Sequence, residues 1–235
     1  DNILIQQSKQ AIIGEMFENI THQWKQPLNL ISMLSANIRI DKEFGTLDDD
    51  KLNELLEGIE DSSSHLSQTV EDFRNFLNDD NIKEYFKIKS TIEQTVKLLS
   101  SRINNNSVKI IINIDEIEVY SFKNNLIQVI MNLIGNSLDI IEIDKVENKT
   151  ITFNYEIENG NFILYVDDNA GGIDENIIDS IFDKYFTTKS NGTGLGLYMS
   201  RKIVQESMDG AISVTNKNGG VSFKLSFPYK SLPAR

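Results

Sequence analysis

The chain has 235 residues, of which 40% are hydrophobic and 25% are charged; this is an ordinary globular composition that excludes wholesale disorder and collagen-like structure. Its 35 acidic and 23 basic residues give a net charge of −12, which argues against a nucleic-acid partner held over a broad surface, although a local basic pocket stays possible. The absence of cysteine excludes disulfides and thiolate metal sites.

No stretch reaches the roughly 18 apolar residues that a membrane-crossing helix needs. We therefore expect this chain to make no direct membrane contact and to work in the cytoplasm. It begins without Met, inside a pattern that is already amphipathic. This favours a further upstream region, which could carry a membrane anchor.

Two long helices are predicted in the first 80 residues. Apolar residues recur three or four positions apart from Ile13 to Ile38 and again from Leu52 to Leu77. The intervening segment, Phe44 to Asp48, contains a glycine and helix-capping side chains, which predicts an antiparallel hairpin. Each apolar stripe would stay half uncovered, so we expect a homodimer in which two hairpins form a four-helix bundle.

The pattern changes after residue 80 to alternating β-branched residues. Strands are predicted at 108–114, 150–157, 161–166, 212–215 and 221–227, and helices at 90–103, 122–141 and 195–208. Turn signals at 158–161 and 216–220 indicate hairpins. The sequence thus predicts two domains, residues 1–80 and 81–235, of which the second is an α+β fold with helices on one mixed sheet.

Alternating glycines, Gly192, Gly194 and Gly196, directly precede the last predicted helix. Glycine lets backbone amides approach an anion closely, and a helix start adds unpaired N–H groups. A phosphate chain is therefore the natural ligand. The alternative interpretation is a flexible loop in front of a helix.

Two further stretches favour a nucleotide-like ligand. Asp168 ends an apolar strand and is followed by glycines, which suits a carboxylate that accepts a hydrogen bond from a ligand N–H. Asn132 and Asn136 lie four residues apart in an otherwise apolar helix, so both amides share one face. Mg²⁺ bridged to phosphates would supply partners for them. A polar turn and a structural pair of asparagines are the alternatives.

His22 is the candidate functional residue in the first predicted helix. It lies about 200° around the helix from Ile20 and therefore faces away from the apolar stripe. Lys25 and Gln26 follow on the same face, and Pro27 removes a backbone hydrogen bond, which predicts a bend. We interpret this patch as a docking surface; the alternative is a histidine that is merely exposed.

Taken in order, these stretches resemble the transmitter region of sensor histidine kinases. The H-box is similar to residues 18–28, the N-box to 132–137, the G1 box to 168–172, the F-box to 182–189 and the G2 box to 192–196. The resemblance covers nearly the whole chain. It implies a dimerisation and histidine-phosphotransfer hairpin followed by an ATP-binding α/β sandwich of the GHKL, or Bergerat, type.

The resemblance also implies a role for each motif residue. His22 would take the γ-phosphoryl group of ATP and pass it to an aspartate in the receiver domain of a response regulator. Asp168 would accept a hydrogen bond from the adenine amino group, Asn136 would bind Mg²⁺, and Asn132 would support the phosphates and the metal during transfer. The remaining nucleotide-binding positions would be Gly172, Lys189, Gly192, Gly194, Leu195 and Gly196, with residues 182–193 as a mobile lid.

Two positions depart from the family pattern. Gln23 follows the histidine where Glu or Asp is common, and an amide cannot act as a base at neutral pH. Its oxygen can still accept the Nδ1–H bond and leave Nε2 free, so we expect activity with weaker proton acceptance. Ala170 stands where the G1 box usually has glycine.

Gln26 matches a position where many of these kinases have a residue that positions a water molecule, which implies phosphatase activity. His65 is expected to have no catalytic role.

Two other classes of protein stay open on the sequence. Another ATPase of the same fold, such as a heat-shock chaperone, a mismatch-repair protein or a type II topoisomerase subunit, would lack the hairpin that carries His22. A nucleotide-binding pseudokinase or dimeric scaffold stays open because of Gln23.

Overall fold

The computed structural model describes residues 2–77, 82–143, 148–189, 193–217 and 219–230. The chain forms two compact units: the hairpin unit, Glu15–Asp79, and the sheet unit, which is Asp80–Arg235 together with Asp1–Gly14. Within the described ranges, no helix is both long enough and apolar enough to cross a bilayer.

Two long helices form the first part of the chain, as predicted. Helix α1 spans Asn2–Phe44 and helix α2 spans Asp49–Leu77, and the hairpin unit contains α2 and the part of α1 from Glu15 onward. Pro27 lies inside α1 without ending it. The break between the helices falls within the segment that the sequence predicts.

A tightly bonded turn joins α1 to α2. Gly45 has a φ of +67°, and the N–H of Thr46 donates to the carbonyl of Asp41 at 2.9 Å, which ends α1 in a left-handed glycine cap. Asp48 caps α2, because its Oδ1 accepts from the N–H of Lys51 at 2.8 Å. The side chain of Lys51, in the first turn of α2, also forms an ion pair of 2.9 Å with the Asp41 carboxylate in the last turn of α1, and so connects the two helix ends.

The hairpin unit has little core of its own. Among its described side chains, only Pro27 and Ser62 are buried, and large apolar groups such as Met33, at 53% exposed, face solvent. The two helices approach closely at Gly58, where an added Cβ would lie 2.8 Å from Leu34 Cδ1. Described side chains of the predicted stripe, such as Leu34 and Leu55, are thus partly buried, whereas apolar side chains beside the stripe, such as Met33, stay exposed in one chain.

The sheet unit contains a five-stranded mixed sheet in the order β2-β4-β5-β7-β6. β2 pairs parallel with β4, and the other neighbours pair antiparallel. All five predicted strands are confirmed to within two residues at each end. The strands of the unit are β1 (Glu84–Lys87), β2 (Lys109–Asn113), β3 (Glu118–Ser121), β4 (Thr150–Glu158), β5 (Asn161–Asp168), β6 (Ala211–Lys217) and β7 (Gly220–Pro228).

The expectation of a single sheet was wrong, because β1 and β3 form a second, antiparallel two-stranded sheet. Each has four residues, too few for alternation to stand out in the sequence. The predicted turn between β4 and β5 is confirmed: Asn159 and Gly160 have φ values of +51° and +75°, as tight hairpin turns require.

The helices of the sheet unit are α3 (Ile88–Leu98), α4 (Ser100–Asn105), α5 (Lys123–Ile143) and α6 (Gly196–Lys202), followed by a π-helical turn, Ile203–Ser207. The single helix predicted at 90–103 is thus two, because Leu99 leaves the helical region with φ −99° and ψ 6°. Apolar spacing continues across this break and cannot reveal it. The helix predicted at 195–208 is also shorter, because its last turn widens until Met208 N–H bonds to the carbonyl of Ile203.

The core lies between α5 and the buried face of the sheet. Burying each large aliphatic side chain contributes about 1.5–3 kcal/mol, so α5 is firmly anchored. Its polar face, which carries Asn132, Asn136 and Asp139, is held in place by that anchoring. The fully buried side chains include Leu126, Ile130, Leu133, Ile134 and Leu138 from α5 and Phe153, Phe162 and Phe227 from the sheet.

Candidate functional site

The polar face of α5 meets the start of α6 at Asn132. The Nδ2 of Asn132 donates to Ser200 Oγ at 2.9 Å. A Cβ added to Gly196 would lie 2.3 Å from Asn132 Oδ1, closer than any side chain could come. Any other residue at position 196 would therefore displace the Asn132 amide from this contact.

One helical turn along α5, Asn136 faces a positive charge. Lys189 Nζ donates to Asn136 Oδ1 at 2.9 Å and also pairs with the Asp139 carboxylate. Asp139 accepts in addition from Arg102 Nη2 at 2.7 Å, and Arg102 reaches Glu142 at 3.0 Å. The cluster thus links a lysine from the predicted lid to an arginine of α4 through one carboxylate.

This arrangement suits a phosphate group accompanied by a hard cation. Asn136 Nδ2 is buried without a hydrogen-bond partner, so it is a donor that a ligand oxygen could satisfy. Amide oxygens are among the ligands that Mg²⁺ accepts, and Asn136 Oδ1 is such an oxygen, which in this structure accepts from the Lys189 ammonium group. The side chains present therefore fit the predicted metal and phosphate positions.

Asp168, at the end of β5, is a partly buried carboxylate surrounded by donors. Ser137 donates its hydroxyl to Asp168 Oδ2, and Oδ1 accepts from the N–H groups of Ala170 at 3.0 Å and Val221 at 3.4 Å. Burial raises the pKa of Asp168, and these hydrogen bonds oppose the rise only in part. Ser137 follows Asn136 in sequence, so it connects the carboxylate to α5.

The glycine loop after Asp168 is held by the β6–β7 turn. Gly171 has a φ of +111° and donates its N–H to the carbonyl of Gly219 at 3.0 Å. An added Cβ at Gly220 would lie 1.8 Å from the carbonyl oxygen of Asp168, so backbone packs directly on backbone there. Gly172 lies beside the side chain of Asn216, whose Oδ1 would be 3.2 Å from a Cβ at that position.

Tyr185, inside the predicted lid, is bonded to Gly194, the residue that directly follows the lid. Tyr185 N–H donates to the carbonyl of Gly194 at 3.0 Å, and a Cβ at Gly194 would lie 2.3 Å from the Tyr185 carbonyl carbon. Phe182 is buried and contacts Phe223 edge-on, with ring centroids 6.5 Å apart. Gly192 lies outside the described residues.

The structure thus brings several predicted site residues together. Leu195 comes directly before α6, with its N–H on Thr193 Oγ1 at 3.4 Å. In the hairpin unit, His22 and Gln23 belong to α1, but their side chains, like that of His65, lie outside the described part of the chain. Gln26 is exposed. The residues grouped around the polar face of α5 are Asn132, Asn136, Lys189 and Gly196, with Asp168 joined to it through Ser137.

Sequence reasoning missed Ser137, Asp139 and Asn216. Asp139 follows Asn136 by three positions, so helical spacing could have placed it on the same face. Ser137 lies inside the N-box-like stretch, where its short polar side chain in an apolar helix was a signal. Asn216 had no local signal, because its contacts are with residues more than 40 positions earlier.

Comparison with known proteins finds two family models in succession along the chain. Residues 12–82 match the His Kinase A (phospho-acceptor) domain. Residues 123–231 match the histidine kinase-, DNA gyrase B-, and HSP90-like ATPase family. These matches cover the hairpin and most of the sheet unit.

A curated relative and two solved structures are similar over long stretches. The chain is 28% identical over 233 residues to the two-component sensor PprA of Pseudomonas aeruginosa, a match that covers 96% of this chain and 25% of that protein. The catalytic domain of histidine kinase ThkA, in a nucleotide-free form, is similar with a TM-score of 0.56 and 26% identity over 63% of this chain and 95% of that one.

A complex of ThkA with the response regulator protein TrrA has the same fold, with a TM-score of 0.54 and 22% identity, and covers 95% of this chain and 64% of that one. The chain spans between a quarter and under half of the length of the curated relatives that it matches over most of its own length.

Proposed function

Since the chain belongs to the sensor histidine kinases, as the transmitter region of one, we propose that it phosphorylates itself on His22 with ATP and passes the phosphoryl group to an aspartate of a response regulator. In this proposal residues 1–80 are the dimerisation and phosphotransfer domain, and residues 81–235 bind ATP. The phospho-acceptor match at 12–82 favours a kinase over other ATPases of the same fold. The ThkA–TrrA complex supports a receiver domain as the partner.

The observation that carries the proposal is the convergence of Lys189 on Asn136. Nζ lies 2.9 Å from Asn136 Oδ1, although the two residues are 53 positions apart. A cation, a buried amide without a partner for its N–H group and the glycine backbone at Gly196 are the groups that phosphate recognition needs. Asp168, partly buried at the end of β5, would accept from the adenine amino group.

In the proposed reaction the lone pair of His22 Nε2 attacks the γ-phosphorus of ATP. A P–N bond forms while the bond from that phosphorus to the bridging oxygen breaks, and ADP leaves with the electron pair. Gln23 would accept the Nδ1–H bond and so keep the ring oriented. The phosphoryl group then moves to a carboxylate oxygen of the partner aspartate as the P–N bond breaks.

The sheet unit contributes positioning and charge neutralisation, on which phosphoryl transfer mainly depends. Lys189 and the amides at Gly192, Gly194, Leu195 and Gly196 would hold the phosphates, under a lid of residues 182–193. Asn136, with Asn132 in support, would hold Mg²⁺, which when bound screens the charge of the β- and γ-phosphates.

The test is incubation with Mg²⁺ and ATP labelled at the γ-phosphate. A phosphohistidine is expected to lose its label in acid and to keep it in alkali. Acid-stable label would contradict the proposal. Nucleotide binding without any label would favour the pseudokinase alternative, and Gln23 would then be the first position to change.

We also propose that the active chain is a homodimer formed by its hairpins. Exposed apolar side chains such as Met33, and stripe residues that one hairpin covers only in part, support it. Sedimentation at micromolar concentration is expected to give twice the chain mass of 26.7 kDa, and Met33→Glu is expected to shift the mass toward the monomer. A stable monomer of the unchanged chain would contradict the dimer.

A second activity of the same proposal is dephosphorylation of the partner. The exposed amide of Gln26 can hold a water molecule for attack on the aspartyl phosphate. Gln26→Ala is expected to slow dephosphorylation about tenfold, the effect of one lost hydrogen bond of about 1.4 kcal/mol in the transition state, while autophosphorylation persists. The control is Asn29→Ala, at a nearby exposed position. Equal dephosphorylation by both variants would exclude this role.

A further inference from the structure

Asn216, near the end of β6, uses its side-chain amide to bind both backbone groups of one distant residue. Its Oδ1 accepts from the N–H of Ile173 at 2.7 Å, and its Nδ2 donates to the carbonyl of Ile173 at 2.7 Å. A planar amide that bonds to both groups sets the orientation of the peptide as well as its position. Ile173 is thereby fixed to the sheet across 43 positions of sequence.

The same β6–β7 hairpin holds the rest of the loop that begins at Asp168. Gly219 accepts from the N–H of Gly171 at 3.0 Å, and Val221 donates its N–H to Asp168 Oδ1 at 3.4 Å. The close approach of Gly220 to the Asp168 carbonyl excludes any side chain there. One hairpin thus contacts the loop at its start, its middle and its end.

We propose that Asn216 is a positioning residue for nucleotide binding: by holding Ile173, it keeps the loop from Asp168 to Ile173 in the conformation that receives the adenine end of the nucleotide. The inference rests on the proposed function, in which Asp168 binds adenine. Asn216 itself touches the loop and acts through it.

The two hydrogen bonds between Asn216 and Ile173, called the clamp below, are expected to affect nucleotide binding more than the stability of the fold. Its two hydrogen bonds are exposed to solvent, and exposed bonds contribute little to global stability. Loss of the clamp instead frees the glycine loop to sample other conformations. Nucleotide affinity is then reduced in proportion to the population that keeps the binding conformation.

Two variants remove different numbers of the hydrogen bonds between Asn216 and Ile173. Asn216→Ala removes both hydrogen bonds, whereas Asn216→Asp keeps an acceptor for the Ile173 N–H and loses the donor to its carbonyl. The matched control is Asn113→Ala, which removes an exposed hydrogen bond of 2.9 Å from the side-chain amide of Asn113 to that of Asn154, near the opposite edge of the same sheet. Binding of ADP with Mg²⁺ is measured by calorimetry, and autophosphorylation is measured against ATP concentration.

Asn216→Ala is expected to raise the ADP Kd and the KM for ATP by about five- to tenfold. Asn216→Asp should raise both less. The kcat at saturating ATP and the Tm should match those of Asn113→Ala. A merely structural residue would lower Tm and leave the KM unchanged.

Two results would overturn the inference. If the unchanged chain binds ADP and Asn216→Ala binds it equally well, the clamp does not position the loop, while the proposed function stands. If the unchanged chain does not bind ADP, the proposed function fails and the inference fails with it.

Discussion

His22→Ala is expected to abolish phosphorylation of the chain by ATP. Without the imidazole no nitrogen is available to attack the γ-phosphorus, and no other group in the proposed mechanism can replace it. Alanine is the best helix former, so α1 should persist through the substitution. The measurement is label retained from ATP labelled at the γ-phosphate, with calorimetric binding of ADP as the check that the sheet unit is intact.

The control for this prediction is His65→Ala, because the chain contains two histidines. The same substitution at His65, in α2, should leave both labelling and ADP binding unchanged. Label that persists in His22→Ala and disappears in His65→Ala would move the phospho-acceptor to α2.

Asp168→Asn is expected to weaken nucleotide binding about tenfold to a hundredfold without lowering stability at neutral pH. The adenine amino group would lose a charged acceptor, whose hydrogen bond is worth about 1.5–3 kcal/mol. The asparagine amide fits the site, since Ser137 can turn its hydroxyl to the Leu133 carbonyl, 3.2 Å away, and accept from the new NH₂ group.

The stability of this variant follows from the raised pKa of Asp168. Burial raises this pKa above the ordinary value of 3.8, so folding favours the protonated carboxyl. The stability that Asp168 contributes is therefore full below its unfolded pKa and is lost as pH rises through the folded pKa. The Tm of Asp168→Asn relative to the unchanged chain should be highest at neutral pH and should fall as pH is lowered through that range.

Asp167→Asn is the matched control, one residue earlier in β5. Asp167 bonds to Ser222 Oγ at 2.5 Å and to Lys217 Nζ at 2.8 Å, outside the proposed adenine contact. Its substitution should leave the ADP Kd unchanged. An equal loss of affinity in both variants would show that Asp168 has no specific role, and wild-type ADP affinity in Asp168→Asn would exclude it from the binding site.

The features predicted from sequence are those encoded by neighbouring residues. Apolar spacing predicted the hairpin, and alternation predicted the five strands of the main sheet, because both periods persist over several turns or residues. The break at Leu99 escaped notice, since the apolar spacing continues through it. The short strands β1 and β3 escaped because each depends on pairing with the other.

In the candidate site, too, the residues set by one helix were predictable, whereas contacts between distant segments were not. Asn132 and Asn136 were recognisable as a pair because one helix sets their spacing. The resemblance named Lys189 as a nucleotide-binding position, but its contact with Asn136 was not predictable. That contact, like the one between Ser200 and Asn132, joins segments more than 50 residues apart. Asn216 shows the limit most clearly: its importance depends on the order of strands in the sheet, which brings the β6–β7 hairpin beside the loop after Asp168.

The carboxylate of Asp139 has two cationic partners, Lys189 and Arg102, so Lys189 can leave it without leaving the carboxylate unpaired. When Lys189 turns away, Arg102 still lies 2.7 Å from Asp139 Oδ1, so no isolated negative charge is left behind. Moving the lysine from Asp139 to another anion is then an exchange of one ion pair for another, and Asp139 is not left as an unpaired, partly buried charge. Without the lysine, Arg102 is shared by Asp139 and Glu142, so the remaining cluster carries one net negative charge while Asp139 keeps a cationic partner.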